Sequence, residues 1–205
     1  MAIKPILFNT DMVRAILDGR KTCTRRKVDK DISNKFDIDS NGTVVAYIDQ
    51  ATGDSYKPES ICKYQAGDVM YVRETWGEGY EEGTYIYKAD DRLADLPTFK
   101  KSSKRIYHPS IHMPKQAARI WLKVTDVKVE RLQEITEDEA KAEGANWKNG
   151  KNVGVEEKMR RTAVERFSEI WDSTIKKSDL DRYGWDANPY VFVIEFERCE
   201  KPEVV

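Results

Sequence analysis

The strongest constraint on the fold of this chain is an alternating segment at residues 118–132. Apolar side chains recur at every second position through Ile120, Leu122 and Val124. Lys123 and Thr125 stand between and after them. A period of two places alternate side chains on one face of an extended chain. The segment therefore predicts a long strand of the kind found in β-barrels.

Further strands are predicted from short apolar runs. They lie at residues 5–8, 44–48, 69–74, 84–87 and 189–196. The strand at 69–74 follows a Gly67-Asp68 turn, and the run at 44–48 predicts a hairpin in an otherwise polar region. The last of these strands, at 189–196, is the most apolar and closes the structure.

Helices are predicted where capping residues precede helical periodicity. Asn9 or Thr10 can cap a first helix, which ends before Gly19. Thr136 and Glu139 form a capping box that opens a short helix ending at Gly144. Another helix is predicted from about residue 156 to residue 172. The order of strand, helix, several strands, two helices and strand predicts an α+β fold, a small curled sheet with flanking helices.

Chain length and the polar segments set the predicted domain organisation. A chain of 205 residues predicts one domain over residues 1–205, with two small domains as the alternative. Two long polar segments, at about 28–60 and 77–117, are interpreted as insertions. Lys and Arg number 35 against 36 Asp and Glu, giving a net charge of −1. This balance argues against a protein that coats nucleic acid without specificity. A nucleic-acid-binding site would depend on local clustering of positive charge.

The reactive side chains predict neither a metal site nor a cofactor. Cys23, Cys62 and Cys199 form no metal-spaced pair, and the chain has only the two histidines His108 and His112. No run approaches the roughly 18 apolar residues of a membrane span, and the N-terminus lacks the apolar core of a leader peptide. We therefore expect a cytoplasmic protein that does not enter a membrane.

A basic segment at residues 19–26 follows the first helix. Its position after a buried helix predicts that it lines the mouth of a pocket, although such a run is also typical of a solvated basic face. Together with residues 67–76, 135–144 and 191–196, the segment 16–26 resembles the ASCH branch of the PUA-like superfamily. With residues 112–114 and 185–189, the chain resembles the longer ASCH proteins of bacteriophages and prophages.

This resemblance implies a PUA-like small curled β-barrel and a cleft for RNA or a nucleotide beside the basic segment. In a short bacterial branch it implies an amidohydrolase that removes the acetyl group of N4-acetylcytidine. By motif position the catalytic lysine, threonine and glutamate correspond to Lys21, Thr24 and Glu143. Thr24 would attack the acyl carbon, Lys21 would act as its base once burial or nearby cations lower its pKa, and Glu143 would protonate the leaving nitrogen. The two insertions, absent from that branch, are expected to cover the barrel mouth and to change the size of ligand accepted.

Other residues are candidates for binding. Arg73 can fork onto a phosphate or base edge and Trp76 can stack on a base, whereas the alternative is a buried Arg73–Glu74 network with Trp76 in the core. The full set of predicted nucleotide- or nucleic-acid-binding residues is Arg20, Arg26, Arg73, Glu74, Trp76, His112 and Trp185.

Two functions of other classes remain open at this point. One is a non-catalytic module that reads RNA, DNA or a modified base. The other is a phage-encoded structural or interaction protein whose insertions form a partner surface.

Overall fold

A computed structural model describes residues 1–79, 81–91, 107–145 and 162–203 of the chain. These residues divide into two compact units, and each unit is assembled from separate stretches of sequence. Unit 1 comprises Met1–Gly19, Gly67–Val124 and Phe196–Val205, and unit 2 comprises Arg20–Ala66 and Thr125–Glu195.

The described residues form strands, helices and five short 3-10 turns. The strands are β1 (Ile3–Leu7), β2 (Cys23–Lys27), β3 (Phe36–Ile38), β4 (Val44–Ile48), β5 (Ser55–Tyr56), β6 (Val69–Arg73), β7 (Trp76–Glu78), β8 (Tyr85–Tyr87), β9 (Trp121–Arg131) and β10 (Tyr190–Cys199). The helices are α1 (Thr10–Leu17), α2 (Lys30–Ser33), α3 (Glu137–Ala142), α4 (Ala163–Thr174) and α5 (Leu180–Tyr183). The 3-10 turns are Pro58–Ile61, Ser110–His112, Lys115–Ala117, Leu132–Glu134 and Lys177–Asp179.

Unit 1 is organised around strand β6. Strand β1 pairs with it in parallel, with Ile6 opposite Val72. The start of β9 pairs with it antiparallel on the other side, with Met70 opposite Leu122. Val72, Met70 and Leu122 are almost fully buried. A strand with partners on both sides and a buried apolar set is expected to be a central one, so the Gly67-Asp68 turn delivers the chain into the core as predicted.

Unit 2 contains the antiparallel pair β2 and β10, with Val193 opposite Arg25. Strand β9 is the other neighbour of β10. A separate three-stranded sheet, in the order β3-β4-β5, occupies the region interpreted as the first insertion. The hairpin predicted there is confirmed.

Helices α3 and α4 of unit 2 each begin with a capping box. Thr136 accepts from the backbone N–H of Glu139, and the Glu139 side chain accepts from Thr136, which confirms the predicted start of α3. Thr162 and Glu165 repeat the arrangement at α4. Buried side chains from these helices pack against β10 and the end of β9, forming a core of Leu132, Ile135, Ala140, Ala145, Phe167, Trp171, Val191 and Val193.

The α+β class is confirmed, whereas a closed barrel is not found. In unit 1 the described strands lie in the order β1-β6-β9 and in unit 2 in the order β9-β10-β2, and neither set closes on itself. The helix predicted from about residue 156 to residue 172 instead begins at Ala163, because Thr162 has extended backbone and caps it. Residues 146–161 lie outside the described part of the chain. Residues 80 and 92–106 of the second insertion also lie outside it. Among the described helices, none is long and apolar enough to cross a membrane.

Candidate functional site

The basic segment at residues 19–26 leads into strand β2, which begins at Cys23, and several of its side chains are buried. Lys21, Thr24 and Arg25 have relative exposures of 3%, 2% and 3%. Arg20 and Arg26 are half-buried. The alternative of a solvated basic face is therefore wrong for Lys21 and Arg25, and the charges of these two residues require partners in the interior.

Lys21 is paired with Glu143. Its Nζ donates to Glu143 Oε2 at 2.6 Å and to the carbonyl oxygens of Cys23 and Glu143, each at 2.8 Å. These three bonds use all three hydrogens of an ammonium group. Burial lowers the pKa of Lys21 below its ordinary value, and the attraction of Glu143 offsets only part of that effect.

The end of helix α3 delivers Glu143 to this position. Glu143 is the C-cap residue, and its N–H donates to the carbonyl of Glu139. Gly144 follows with a φ of 85°, a conformation that favours glycine. The N–H of Thr22 donates to the carbonyl of Ala142 at 2.9 Å. The helix end and the start of the basic segment are thereby joined by both backbone and side-chain bonds.

Arg25 extends this pair into a larger charged group. Its Nε and Nη2 donate to Glu130 Oε1 at 3.0 and 2.5 Å, and Nη2 also reaches Glu139 Oε2 at 3.2 Å. Lys128 bridges the same two carboxylates, at 3.1 Å from Glu130 and 2.9 Å from Glu139. We call the six residues the ion cluster: Lys21, Arg25, Lys128, Glu130, Glu139 and Glu143.

The ion cluster contains two buried atoms without hydrogen bonds in the described residues. They are Arg25 Nη1 and Glu143 Oε1, which lie 3.5 Å apart as an ion pair. Leaving a buried polar group without a hydrogen bond costs about 1–3 kcal/mol. The free lone pairs of Glu143 Oε1 are therefore a place where an incoming N–H donor gains a hydrogen bond that the fold does not supply.

Thr24 follows Lys21 by three positions, but its side chain is oriented differently from that of Arg25. In β2 successive side chains point to opposite faces, so Thr24 and Arg25 face opposite ways. Thr24 is paired with Ile194 across the sheet. Within the described residues, its hydroxyl makes no hydrogen bond to Lys21 or Glu143. Of the three predicted catalytic residues, the structure therefore brings two into direct contact.

Burial and the charge of Glu143 also shift the pKa values of Arg26 and Cys23. Burial lowers the pKa of Arg26, although Glu143 and Tyr64 act in the opposite direction. Burial, followed by the charge of Glu143, raises the pKa of the Cys23 thiol to about 12. A thiol with so high a pKa is a poor nucleophile at neutral pH, which agrees with leaving Cys23 out of the proposed chemistry.

Arg73, Glu74 and Trp76 belong to unit 1. Arg73 donates to the backbone carbonyls of Met113, at 2.9 Å, and Ile111. Glu74 is 1% exposed, and its partner is Arg119, which donates from Nε at 2.9 Å and from Nη2 at 3.1 Å. The buried network is thus Arg119–Glu74, a pair that the sequence reading did not identify.

The aromatic and histidine candidates are placed differently from one another. Trp76 is buried against His108 and Tyr85, with ring centroids 5.2 and 5.7 Å away. His112 lies exposed in a 3-10 turn of the same unit. Trp185, in unit 2, packs edge-on against Phe167 at 6.2 Å. The two tryptophans contribute to cores, which corresponds to the structural alternative weighed for Trp76.

Neither the metal-ligating side chains of the described residues nor a comparison with known proteins assigns a function to this chain. The described residues contain no group of three His, Cys, Asp or Glu side chains that could hold a metal ion. Comparison of the chain with protein-family models, curated proteins and solved structures returns no match. The resemblance to ASCH proteins therefore rests on the motifs of this sequence alone.

Proposed function

We propose that this chain is an ASCH-type, PUA-like protein that binds a modified nucleoside, free or within RNA, and hydrolyses an acyl amide on its base, as in N4-acetylcytidine. The site comprises Lys21, Thr24 and Glu143. The observation that carries this proposal is the buried pair between Lys21 and Glu143, whose second carboxylate oxygen accepts no hydrogen bond from the described residues.

The Lys21–Glu143 pair supplies a base and an acid together. Transfer of one proton across its 2.6 Å hydrogen bond converts the ammonium and carboxylate into an amine and a carboxylic acid. Burial favours the uncharged amine of Lys21, in agreement with its lowered pKa, and the proton that it gives up passes along this hydrogen bond. The amine can then accept a proton from a nucleophile while the acid donates one to a leaving group.

Hydrolysis proceeds through an ester of Thr24. The Thr24 oxygen bonds to the acyl carbon, its proton passes to the Lys21 amine, and the carbon–nitrogen bond breaks as the base nitrogen takes the Glu143 proton. Water then adds to the ester and gives a proton to the Glu143 carboxylate. The carboxylic acid departs, and Thr24 regains its proton from the Lys21 ammonium. The net reaction consumes one water and one amide and leaves the enzyme unchanged.

The Glu143 oxygen that lacks a hydrogen bond among the described residues also gives a reason for binding an acylated amino base. The exocyclic N–H of such a base is a hydrogen-bond donor, and Glu143 Oε1 lacks one among the described residues. The positive charge of Arg25, 3.5 Å from the same oxygen, reduces the negative charge that a bound ligand meets there.

A second candidate function is binding without turnover. Three donor bonds hold Lys21 as an ammonium, which has no lone pair to accept a proton from a nucleophile. Thr24 also lies on the strand face opposite Arg25. Both observations favour binding without turnover. In this version the chain recognises the modified base and does not change it.

Turnover is tested by incubating the protein with N4-acetylcytidine and measuring cytidine by chromatography. We expect cytidine from the unchanged protein and none above background from Thr24→Val, which removes only the hydroxyl. Thr22→Val is the matched control, because Thr22 is an exposed neighbour. Hydrolysis is excluded when the folded protein yields no cytidine, or when Thr24→Val matches Thr22→Val.

Binding is tested separately by calorimetric titration with N4-acetylcytidine and with an RNA oligomer that contains it. If binding occurs without turnover and survives Thr24→Val, the second candidate holds. Absence of binding to either ligand contradicts both candidates.

A further inference from the structure

Unit 2 contains a cavity that shares no residue with the predicted site. Its volume is about 480 Å³, within the roughly 300–1,000 Å³ of small-molecule sites. It is lined by residues of α2, β3 and α5, by Arg131 at the end of β9, and by Ala187, Pro189 and Tyr190. None of the predicted catalytic or binding residues lines it.

The charge around this cavity is mostly positive. Lys30, Arg131 and Arg182 line it, and Asp181 is the one carboxylate among the lining residues. In the described part of the chain, none of the three cations forms an ion pair with a carboxylate. The cations of the ion cluster, by contrast, are all paired. In a chain with a net charge of −1, this cavity is a local concentration of unneutralised positive charge.

Arg131 is held in a fixed orientation at the cavity wall. Its guanidinium carbon lies 3.8 Å from the centroid of the Tyr190 ring, and Nη1 donates to the carbonyl of Asn188 at 3.1 Å. Phe36 meets the same tyrosine ring edge-on at 5.3 Å. Because the N–H groups of a guanidinium lie in its plane, stacking on Tyr190 leaves the remaining donors directed outward at its edge.

The loop that carries the Asn188 carbonyl is itself constrained. Asn188 has a φ of 43°, and its side-chain Oδ1 accepts from the backbone N–H of Gln133 at 2.9 Å. A non-glycine residue in the left-handed region costs free energy and persists only where its surroundings hold it. The strained loop thus fixes the position of Arg131 before any ligand arrives.

A second aromatic ring with cations beside it, that of Tyr183, also lines the cavity. Tyr183 is 5% exposed, and its hydroxyl accepts from the backbone N–H of Lys30 at 3.2 Å. Lys27 Nζ lies 3.8 Å from the centre of the Tyr183 ring, and the Arg182 guanidinium lies 5.3 Å from it. Aromatic faces alternating with cations are the combination that binds nucleotides and single-stranded nucleic acid.

We infer that this cavity binds a nucleoside phosphate, either as a free nucleotide or as part of single-stranded RNA. Arg131 receives the phosphate at its free edge, and Lys30 and Arg182 complete the positive wall. The apolar and aromatic lining from Phe36 and Tyr190 contacts the nucleoside. This inference is independent of the proposed hydrolysis, because the two sites have no residue in common.

The test is calorimetric titration of the full chain with CMP, cytidine, inorganic phosphate and a single-stranded RNA pentamer. We expect CMP to bind more tightly than both cytidine and inorganic phosphate. Arg131→Gln and Arg182→Gln are each expected to weaken CMP binding at least about 10-fold, the loss of one charge-assisted hydrogen bond. Arg198→Gln, an exposed position on β10, is the matched control and is expected to leave binding unchanged.

The same titrations separate the two sources of the phosphate. A pentamer that binds more tightly than CMP, with an affinity that falls steeply with salt, identifies RNA as the ligand, and the reverse order identifies a free nucleotide. Arg182 makes no hydrogen bond to the described residues, so Arg182→Gln tests the idea even if Arg131→Gln unfolds.

The inference is overturned if neither CMP nor the pentamer binds. It is equally overturned if cytidine or inorganic phosphate binds as tightly as CMP. It is also overturned if Arg182→Gln binds CMP as tightly as Arg198→Gln. Hydrolysis of N4-acetylcytidine is tested with Thr24→Val, whereas CMP binding is tested with Arg182→Gln. Either proposal can therefore fail without the other.

Discussion

The Nζ of Lys21 and the Oε2 of Glu143 lie 2.6 Å apart in the interior of unit 2, although 122 positions separate them in the chain. Both side chains are nearly inaccessible to solvent, with 2% and 6% exposed. Removing one partner of a buried ion pair leaves a charge without compensation, and this costs more than the pair itself contributes.

We therefore expect Lys21→Met and Glu143→Gln each to lower the free energy of unfolding by about 3–5 kcal/mol. The double variant Lys21→Met/Glu143→Leu should recover part of this loss because it leaves neither charge buried. Urea unfolding at pH 7 measures all three. Lys141→Met removes an exposed pair with Asp138 and serves as the control, with an expected loss much smaller than that of Lys21→Met. Equal losses in Lys21→Met and Lys141→Met would contradict the prediction.

Acid stability should depend on Glu139. Although partial burial opposes it, hydrogen bonds from Thr136 and Lys128 and the charge of Arg25 lower the pKa of Glu139 from 4.5 to about 2. A carboxyl with a lowered folded-state pKa contributes stability that is complete above pH 4.5 and is lost as the pH falls toward 2.

Glu139→Gln should therefore cost about 1 kcal/mol at pH 7, after allowance for solvent screening, and almost nothing near pH 2. Glutamine keeps an acceptor for the Thr136 N–H, so the change removes mainly the charge. Urea midpoints measured from pH 7 to pH 2 give the profile, with the exposed Glu197→Gln as the reference. A deficit that stays constant over this range would show that charge is not the cause.

The three cysteines should differ in reactivity. Burial raises the pKa of Cys23 from 9.0 to about 12, which reduces its thiolate fraction at a given pH about 1,000-fold. Cys62 is also buried, whereas Cys199 is partly exposed. We expect Ellman's reagent at pH 8 to label Cys199 first and the other two only on unfolding. Cys199→Ser should remove the early phase, and an early phase that persists in this variant would contradict the assignment.

Stability of unit 1 should depend on the geometry of Arg119. Its guanidinium binds both oxygens of the buried Glu74 and lies 3.9 Å from the Tyr87 ring centroid. Arg119→Met should destabilise the protein by about 3–5 kcal/mol because Glu74 keeps a buried, unpaired charge. Arg119→Lys keeps the charge without the two-pronged contact and should cost less. Thermal unfolding compares the two, and a loss in Arg119→Met no larger than in Arg119→Lys would sink this account.

Local sequence signals predicted the ends of several elements. The capping box of Thr136 and Glu139 starts α3 as expected, and Asn9, one of the two proposed caps, is the N-cap of α1. Gly67 and Gly144 have positive φ values at the turns predicted for them. These signals are reliable because capping bonds and turn conformations involve residues within about four positions of one another.

The partners of charged residues were not predictable in the same way. Arg25 belongs to the basic segment predicted to line a pocket mouth, yet it binds Glu130 and Glu139, which are 105 and 114 positions away. Glu74 was considered with its neighbour Arg73 and is instead bound by Arg119. The cavity lined by Lys30, Arg131 and Arg182 has no signal in the sequence, because its residues come from three separate segments.

By itself the sequence determined several extended segments, the first helix, and where α3 begins and ends. Only the tertiary structure decided that Lys21 meets Glu143 and that the buried Arg25 contacts three carboxylates. It also decided that the Thr24 hydroxyl makes no hydrogen bond to Lys21 or Glu143 among the described residues. Periodicity and capping act over a few residues, so the local chain specifies them. Ion pairing and burial depend on distances between segments far apart in the chain, and those distances exist only after the strands and helices have packed.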